Sequence, residues 1–356
     1  MSTSPQANVG TTPVRAGYEI DAARLTEWLR ANVPGYAGPL HIEQFKGGQS
    51  NPTYKLITPD ACYVLRRKPP GPILPGAHAV EREARVQSAL GEAGFPVPRL
   101  HALCTDESIV GTPFYVMDLV EGRIFWDATF PEVSREQRPE YFRAMSRTLA
   151  QLHRLDPRQV GLDDYGRTGG YVQRQLRRLS DQYRTDALAG RDDNMDRLID
   201  WLGEHIPADD RTAIVHGDFR CDNVIFHPHR PQVVAVLDWE LSTLGHPFAD
   251  FAYHALMYHV PPRIVAGLRD ADLGALNIPS EKDYLTIYAQ TLGIDAIADY
   301  NYYLCFSLFR LAAIFHGIRG RVARGTAASA HAQSRADAFP WLAEMGWRQT
   351  SLASCG

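Results

Sequence analysis

The chain has 356 residues, of which 45% are hydrophobic and 22% are charged, and its formal net charge is −4. This composition is typical of a globular protein, and no run of roughly 20 apolar residues would let the chain cross a membrane. The small negative charge provides no field that would gather nucleic acid. We therefore expect one large domain or two lobes, with no membrane partner and no nucleic-acid partner.

The cysteines and the N-terminal segment indicate the compartment and the start of the folded part. The five cysteines are widely scattered and form no C-x-x-C pair. This argues against a disulfide framework and against a cysteine zinc site, and it favours a reducing cytoplasm. Residues 1–17 are polar, rich in Gly and Pro, and lack the apolar segment of a secretory signal, so we expect a disordered tail.

Residues 18–120 combine strand and helix patterns. The strand patterns are HIEQF, TYKLIT, CYVLRR, FPVPRLHALC and GTPFYVMDLV, and the first two are separated by the turn-forming KGGQSNP. Helix patterns occur in IDAARLTEWLRANV before the first strand and in AHAVEREARVQSALGEAG after the third. The order β, β, β, α, β, β over residues 40–121 predicts an α+β lobe with a mostly antiparallel sheet.

Residues 121–350 are dominated by amphipathic helix patterns, such as YFRAMSRTLAQLHRL, YVQRQLRRLSDQYRT and NYYLCFSLFRLAAIFHGI. The two strands expected here are the apolar runs IVH, at residues 214–216, and VVAVLDW, at residues 233–239, paired as a hairpin. The sequence therefore predicts a small β-rich N-terminal lobe followed by a larger helical lobe.

The segment IVHGDFRCDNVIFHPHRPQVVAVLDWE, residues 214–240, places Asp218, Asn223 and Asp238 beside these two apolar runs. Carboxylate and amide oxygens are hard ligands that suit Mg²⁺. In phosphoryl transfer, a loop Asp can accept the proton of the attacking hydroxyl while an Asn and a second Asp hold Mg²⁺ on the nucleotide phosphates. A hairpin would bring the three side chains together.

The pattern HGD-x4-N followed by LDWE resembles the aminoglycoside phosphotransferase and choline kinase branch of the protein-kinase-like fold. The resemblance implies a bilobal fold, an ATP and Mg²⁺ requirement, and a small-molecule acceptor with a hydroxyl group. It implies that Asp218 is the catalytic base and that Asn223 and Asp238 are the metal ligands. Arg220 stands where it either contacts the transferred phosphoryl group or holds the loop in place.

The same resemblance assigns the nucleotide-binding residues of the N-terminal lobe. Arg66 occupies the place of the Lys that pairs with phosphate and with a helix Glu, here Glu83. This Arg departs from the family pattern and raises the question of weakened or lost activity. The remaining expected nucleotide contacts come from the glycine-rich turn and from the segment that would meet the adenine: Gly47, Gly48, Gln49, Ser50, Met117, Asp118 and Val120.

Within the family, FKGGQSNPTY, YVLRRKPPG, AHAVERE, HGDFRCDNVIFHP and LDWELSTLGHPFADFAY are similar to the phosphotransferase domains found fused to, or beside, acyl-CoA dehydrogenases. This implies a hydroxyacyl acceptor, as the free compound or as its CoA thioester, and association with such a dehydrogenase. An aminoglycoside is the alternative acceptor. The cluster Arg174, Arg177, Arg178 and Arg184 would repel that polycation and suit an anion, unless it is only a solvated helix face.

Two other classes of function compete with the kinase. A pseudokinase or nucleotide-binding partner of a dehydrogenase is motivated by Arg66. A metal-dependent hydrolase would use His246, His254 and His259, but the last two lie about 140° apart around a helix.

The aromatic residues between Tyr302 and His316 form either a core stripe or the wall of an acyl pocket, and Arg310 among them needs a partner. The resemblance makes Asp250 a structural brace of the catalytic loop. Acceptor identity, ATP versus GTP, and oligomeric state stay open.

Overall fold

The structure is a computed structural model that describes residues 10–47, 51–71, 78–262, 264–327 and 331–353. In it the chain forms two compact units. The first contains the described residues of Met1–Trp126, Val160–Leu162 and Asp222–Ser242, and the second contains those of Asp127–Gln159, Asp163–Cys221 and Thr243–Gly356. The lobe boundary predicted at residue 120 stays a prediction.

An antiparallel sheet forms the centre of the first unit. Its strands are β1 (Thr11–Thr12), β2 (His41–Phe45), β3 (Thr53–Ile57), β4 (Cys62–Arg67), β5 (Leu100–Cys104) and β6 (Phe114–Asp118). They lie in the order β1-β2-β3-β4-β6-β5, and every neighbouring pair is antiparallel. The antiparallel sheet predicted for this part of the chain is confirmed.

Different helices cover the two faces of this sheet. The helices of the unit are α1 (Ala22–Asn32), α2 (Val80–Glu92) and the short α3 (Glu107–Val110). Leu25 of α1 packs in one cluster with Leu65, whereas Ala84 of α2 packs in another with Val64. Because side chains alternate along a strand, Arg66 projects from β4 on the same face as Val64, toward α2. The sheet thus places a cation between itself and a helix.

The predicted disordered tail over residues 1–17 is wrong at Thr11 and Thr12, which form β1 and pair with Phe45 and Gln44. The backbone N–H of Arg15 also donates to the side chain of Gln44, at 3.0 Å. The order of this polar segment comes from the free edge of β2, whose unpaired backbone groups accept another strand. Composition alone does not reveal such a partner, and residues 1–9 lie outside the described residues.

The predicted hairpin between residues 214–216 and 233–239 is also wrong. The strands of this part are β7 (Ala213–Val215), β8 (Val224–Phe226), β9 (Val233–Val236) and β10 (Thr243–Gly245). In the first unit β8 pairs with β9, and in the second unit β7 pairs with β10. The short run Val224–Phe226 lies nearer in sequence to β9 than β7 does, so a shorter loop closes the hairpin.

Helices form most of the second unit, as predicted. They are α4 (Arg138–Arg154), α5 (Tyr171–Thr185), α6 (Asp193–Glu204), α7 (Pro247–Ala255), α8 (Leu273–Leu276), α9 (Glu281–Leu292), α10 (Tyr300–Ala323) and α11 (Ala332–Ala353). The aromatic side chains of α10, including Tyr303 and Phe309, are buried against its neighbours, so the stripe is core. In the described part of the chain, each helix is too short or too polar to cross a bilayer.

Candidate functional site

Arg66 is the centre of a buried charge cluster in the first unit. Its Nε lies 2.8 Å from Glu83 Oε2 on α2. Its Nη2 lies 2.6 Å from Asp238 Oδ1 and 3.9 Å from Glu240 Oε2. Burial alone lowers the pKa of Arg66, but its neighbours, led by Glu83, raise that pKa above the ordinary value. Arg66 stays cationic. The structure brings Arg66 to Glu83, the pair that the resemblance implied, and adds Asp238 to it.

Glu83 is held by polar partners that the sequence did not indicate. The side chain is 2% exposed. Asn51 Nδ2 donates to Glu83 Oε1 at 2.7 Å, and the Tyr115 hydroxyl donates to Oε2 at 3.2 Å. Burial raises the pKa of Glu83 and outweighs the opposing charge of Arg66. Asn51 follows the glycine-rich turn and precedes a Pro, but its residue type and position did not single it out as a partner of Glu83.

Asp238 and Asn223 lie at the same end of the β8–β9 hairpin. Val224 pairs with Val236, and the next residue outward, Leu237, donates its N–H to the Asn223 carbonyl at 2.8 Å. Asp238 has φ 65° and ψ 63°, a left-handed conformation that costs energy for a residue other than Gly. An amide and a carboxylate oxygen at one hairpin end are donor types that Mg²⁺ accepts, and they fit such an ion.

Asp218 lies in the second unit, in a loop that follows β7 and is held by Asp250 of α7. The N–H of His216 donates to Asp250 Oδ2 and the N–H of Gly217 donates to Oδ1, each at 2.8 Å. Gly217 has φ 85°, a conformation that favours Gly. The N–H of Asp218 donates to His216 Nδ1 at 3.2 Å. The position of the Asp218 backbone is therefore defined by hydrogen bonds.

Asp250 is itself embedded in a buried network. Its Oδ2 lies 3.1 Å from His153 Nε2, and His153 Nδ1 lies 2.6 Å from the Tyr288 hydroxyl. Burial alone would raise the pKa of Asp250, but the hydrogen bond and charge of His153, with His216, hold it below its ordinary value. The brace implied by the sequence is present, and His153 and Tyr288 are additional parts of it.

His254 holds the other end of the same loop. Its Nδ1 lies 2.9 Å from the Phe219 carbonyl and its Nε2 lies 2.6 Å from the Tyr284 hydroxyl. Burial lowers the pKa of His254 to about 4. The ring is neutral at pH 7, so Nδ1 carries the proton and donates to Phe219, while Nε2 accepts from Tyr284.

A small cavity of about 30 Å³ lies beside this loop in the second unit. Its wall is mostly apolar, with Met257, Val265 and Leu311, and Arg220 supplies a positive charge. Arg220 Nε lies 3.7 Å from Asp218 Oδ1. An apolar wall and a cation suit a ligand that has an apolar part and a negative charge.

The segment that the resemblance assigns to adenine contacts consists of β6 and the residues that follow it. Met117 is buried beneath α2 with Val64. The N–H of Asp118 donates to the Arg99 carbonyl at 2.9 Å, so it is already used. Within the described residues the N–H of Val120 makes no hydrogen bond. Gly47 lies in a bend after β2, and the predicted contacts Gly48, Gln49 and Ser50 lie outside the described residues.

The arginines of α5 have local partners. Arg174 donates to the carbonyls of Gly169 and Arg167, Arg178 to Gln175, and Arg177 and Arg184 face Asp181 and Asp200 at 4.0 and 3.7 Å. Surface pairs of this kind contribute little energy. These contacts favour the solvated helix face over an anion site.

The three histidines considered for a metal each contact other protein groups. His246 Nε2 lies 3.0 Å from the Tyr303 hydroxyl, and His259 Nε2 lies 2.7 Å from Glu281 Oε1. Over the described ranges, no group of three or more His, Cys, Asp or Glu side chains is arranged to hold a metal ion. The hydrolase reading gains no support from these residues.

Comparison with known proteins places this chain among phosphotransferases. The model of the phosphotransferase enzyme family matches residues 41–284. Acyl-CoA dehydrogenase family member 10 of Mus musculus is 44% identical over 95% of this chain, and member 11 of Gallus gallus is 44% identical over 95% of it. The chain spans only 32% and 44% of those relatives.

Solved structures share the fold. A Ralstonia eutropha JMP134 protein, provisionally assigned as an aminoglycoside phosphotransferase, is 46% identical with a TM-score of 0.86, covering 94% of this chain and 99% of its own. Spectinomycin phosphotransferase, solved with ADP and spectinomycin, has a TM-score of 0.60 at 14% identity, covering 93% and 99% of the two chains. Choline kinase of Cryptosporidium parvum has 0.60 at 11%, covering 94% and 97%. The chain therefore belongs to the phosphotransferase enzyme family and has its protein-kinase-like fold, with an antiparallel β-sheet lobe and a helical lobe.

Proposed function

We propose that the protein is an ATP- and Mg²⁺-dependent phosphotransferase whose acceptor is the hydroxyl group of a small hydroxyacyl compound, free or as its CoA thioester. The observation that carries the proposal is the buried Arg66, which joins Glu83 of α2 to Asp238. The two carboxylates orient the guanidinium of Arg66. A positive charge held in this way can offset the negative charge of a nucleotide phosphate. Residues 18–120 would form the nucleotide lobe and residues 121–350 the catalytic and acceptor lobe.

In this proposal the first unit binds the nucleotide phosphates. Arg66, oriented by Glu83, offers its guanidinium to a phosphate oxygen. By the family resemblance, backbone N–H groups of Gly47 and of Gly48, Gln49 and Ser50, which lie outside the described residues, would cover the phosphates. Asn223 and Asp238 would hold Mg²⁺, which would supply positive charge to offset that of the phosphate oxygens. Arg66 Nη2 lies 2.6 Å from Asp238 Oδ1, so the proposed phosphate-binding cation and the proposed metal ligand are adjacent.

Adenine recognition would rest on backbone groups after β6. The N–H of Asp118 already donates to the Arg99 carbonyl, so Asp118 would contribute its carbonyl to the adenine and Val120 would contribute its N–H. A donor and an acceptor two residues apart match the two hydrogen-bonding positions on the adenine edge. Met117 would lie behind the base.

Asp218 would accept the proton of the acceptor hydroxyl, a role worth roughly 10²–10⁴ in rate. Arg220, whose Nε is 3.7 Å from Asp218 Oδ1, would offset the charge that develops on the transferred group. Asp250 supports both roles because it holds the N–H groups of His216 and Gly217 and so limits the motion of the loop.

The acceptor class is supported by the chemistry of the small cavity that Arg220 lines. An aminoglycoside is a polar polycation and would find an apolar wall and Arg220 there, whereas a hydroxyacyl compound would place its chain on that wall. The curated relatives named as acyl-CoA dehydrogenases support the same class. We extend this to the partner: an acyl-CoA dehydrogenase that uses or supplies the acyl compound.

The test is a coupled ATP-turnover assay with Mg²⁺ over hydroxyacids, hydroxyacyl-CoA esters, choline-like alcohols and aminoglycosides. Asp218→Asn is the blank, and Asp163→Asn, an exposed carboxylate of similar chemistry, is the matched control. We expect turnover that depends on a hydroxyacyl acceptor and is lost only with Asp218→Asn. Turnover with aminoglycosides alone would refute the acceptor class, and failure to bind nucleotide would refute the kinase.

A nucleotide-binding partner without turnover is the second candidate, favoured by the contact of Arg66 with Asp238, which engages a proposed metal ligand. Calorimetry separates the two. The second candidate is supported if the affinity for nucleotide is the same with and without Mg²⁺ and no turnover is measured. Mg²⁺-dependent binding with acceptor-dependent turnover supports the first.

A further inference from the structure

Arg310 is a buried cation in the middle of α10. It is 9% exposed, and its Nη2 donates to the carbonyl of Gly217 at 2.8 Å. Its guanidinium carbon lies 4.3 Å from the centre of the Tyr253 ring. A charge placed in the protein interior is costly unless something offsets it. The carbonyl and the ring are the direct contacts that stabilise this one.

The position of Gly217 makes the contact significant. Gly217 directly precedes Asp218, and its N–H is held by Asp250 Oδ1 at 2.8 Å while its carbonyl is held by Arg310. Because a peptide group is planar, fixing that carbonyl also fixes the N–H and the Cα of Asp218. Gly217 is thus held by two hydrogen bonds, one from its N–H to Asp250 of α7 and one from Arg310 of α10 to its carbonyl.

We propose that Arg310 is a positioning residue for phosphoryl transfer: its guanidinium holds the Gly217 carbonyl and so sets the peptide plane from which the Asp218 side chain projects. The inference rests on the proposed function in so far as Asp218 accepts the hydroxyl proton. Displacing a catalytic group by about 1 Å costs on the order of 10²-fold in rate. Arg310 acts through the loop, so its loss affects the chemical step and leaves nucleotide binding intact.

The kinetic test compares Arg310→Met, which keeps the length of the chain and removes the donors, with Arg310→Lys, which keeps a cationic donor. The control is Arg319→Met on the same helix, where the guanidinium lies 5.9 Å from the centre of the Phe339 ring. We expect Arg310→Met to lower kcat by about 10- to 100-fold with KM for ATP within about twofold. Arg310→Lys recovers a large part of kcat, and Arg319→Met keeps it.

A second readout does not depend on activity. Hydrogen exchange of the backbone amides over residues 213–221 is expected to rise at least about fivefold in Arg310→Met and to stay unchanged in Arg319→Met. Equal kcat in Arg310→Met and wild type, or equal exchange in this loop, overturns the inference while the proposed function stands. If wild type has no turnover with any acceptor, the proposed function fails, and the exchange measurement alone decides whether Arg310 holds the loop.

Discussion

Replacing Asp250 by Asn tests how strongly the loop of Asp218 is held. Three N–H donors converge on this carboxylate, from His216, Gly217 and His153. The amide oxygen of Asn accepts from at most two of them, and its NH₂ group faces the third, which costs about 1–3 kcal/mol. The two remaining bonds lose the charge of the acceptor, at about 1 kcal/mol each. We expect Asp250→Asn to lower the free energy of unfolding by about 3–5 kcal/mol.

Urea denaturation followed by circular dichroism measures this change. The control is Asp200→Asn on α6, whose carboxylate is 73% exposed and 3.7 Å from Arg184, so its loss costs less than about 1 kcal/mol. We also expect Asp250→Asn to lower kcat, because the loop then moves. An Asp250→Asn protein as stable as the Asp200→Asn control would refute the account of the brace.

Three further predictions concern pH, packing and the metal ligand. Burial lowers the pKa of His254 to about 4, so on acidification the unfolded chain binds a proton at this residue before the folded chain does. The stability that neutral His254 contributes is fully present above about pH 6.5 and is lost between pH 6.5 and 4. We expect the slope of the unfolding free energy against pH in this range to be shallower in His254→Gln. Gly122→Ala places a Cβ 2.3 Å from the Phe226 carbonyl oxygen and lowers the unfolding free energy by about 1–3 kcal/mol, whereas Gly203→Ala on α6 meets open space and raises it by about 0.5–1 kcal/mol, both measured by urea titration. Asp238→Asn weakens nucleotide binding roughly tenfold or more in Mg²⁺ but not in EDTA, measured by calorimetry.

Each of these predictions has an outcome that contradicts it. A His254→Gln protein with the wild-type pH slope would place the titration elsewhere, and His246, whose pKa burial also lowers to about 4, would carry it. Equal stability of Gly122→Ala and Gly203→Ala would mean that the first site relaxes without cost. A loss of nucleotide binding in Asp238→Asn that is the same in EDTA would assign Asp238 to structure and not to the metal.

Much of the candidate site was predictable because its chemistry is local in sequence. The spacing of Asp218, Asn223 and Asp238 indicated phosphoryl transfer, and the family resemblance paired Arg66 with Glu83, which the structure places 2.8 Å apart. The alternation of strand and helix patterns likewise predicted the antiparallel sheet and the helical lobe. These features depend on periodicity and on residue type, which the sequence states directly.

Only the tertiary structure decided which distant segments meet. The pairing of β7 with β10, the order of Thr11 and Thr12 on the edge of β2, and the donation of Asn51 to Glu83 each join residues more than 25 positions apart. Arg310 is the clearest case, because the sequence indicated that it needed a partner but not that the partner is the carbonyl of Gly217, 93 residues away. Backbone carbonyls are identical at every position, so only packing selects the one that a buried cation contacts.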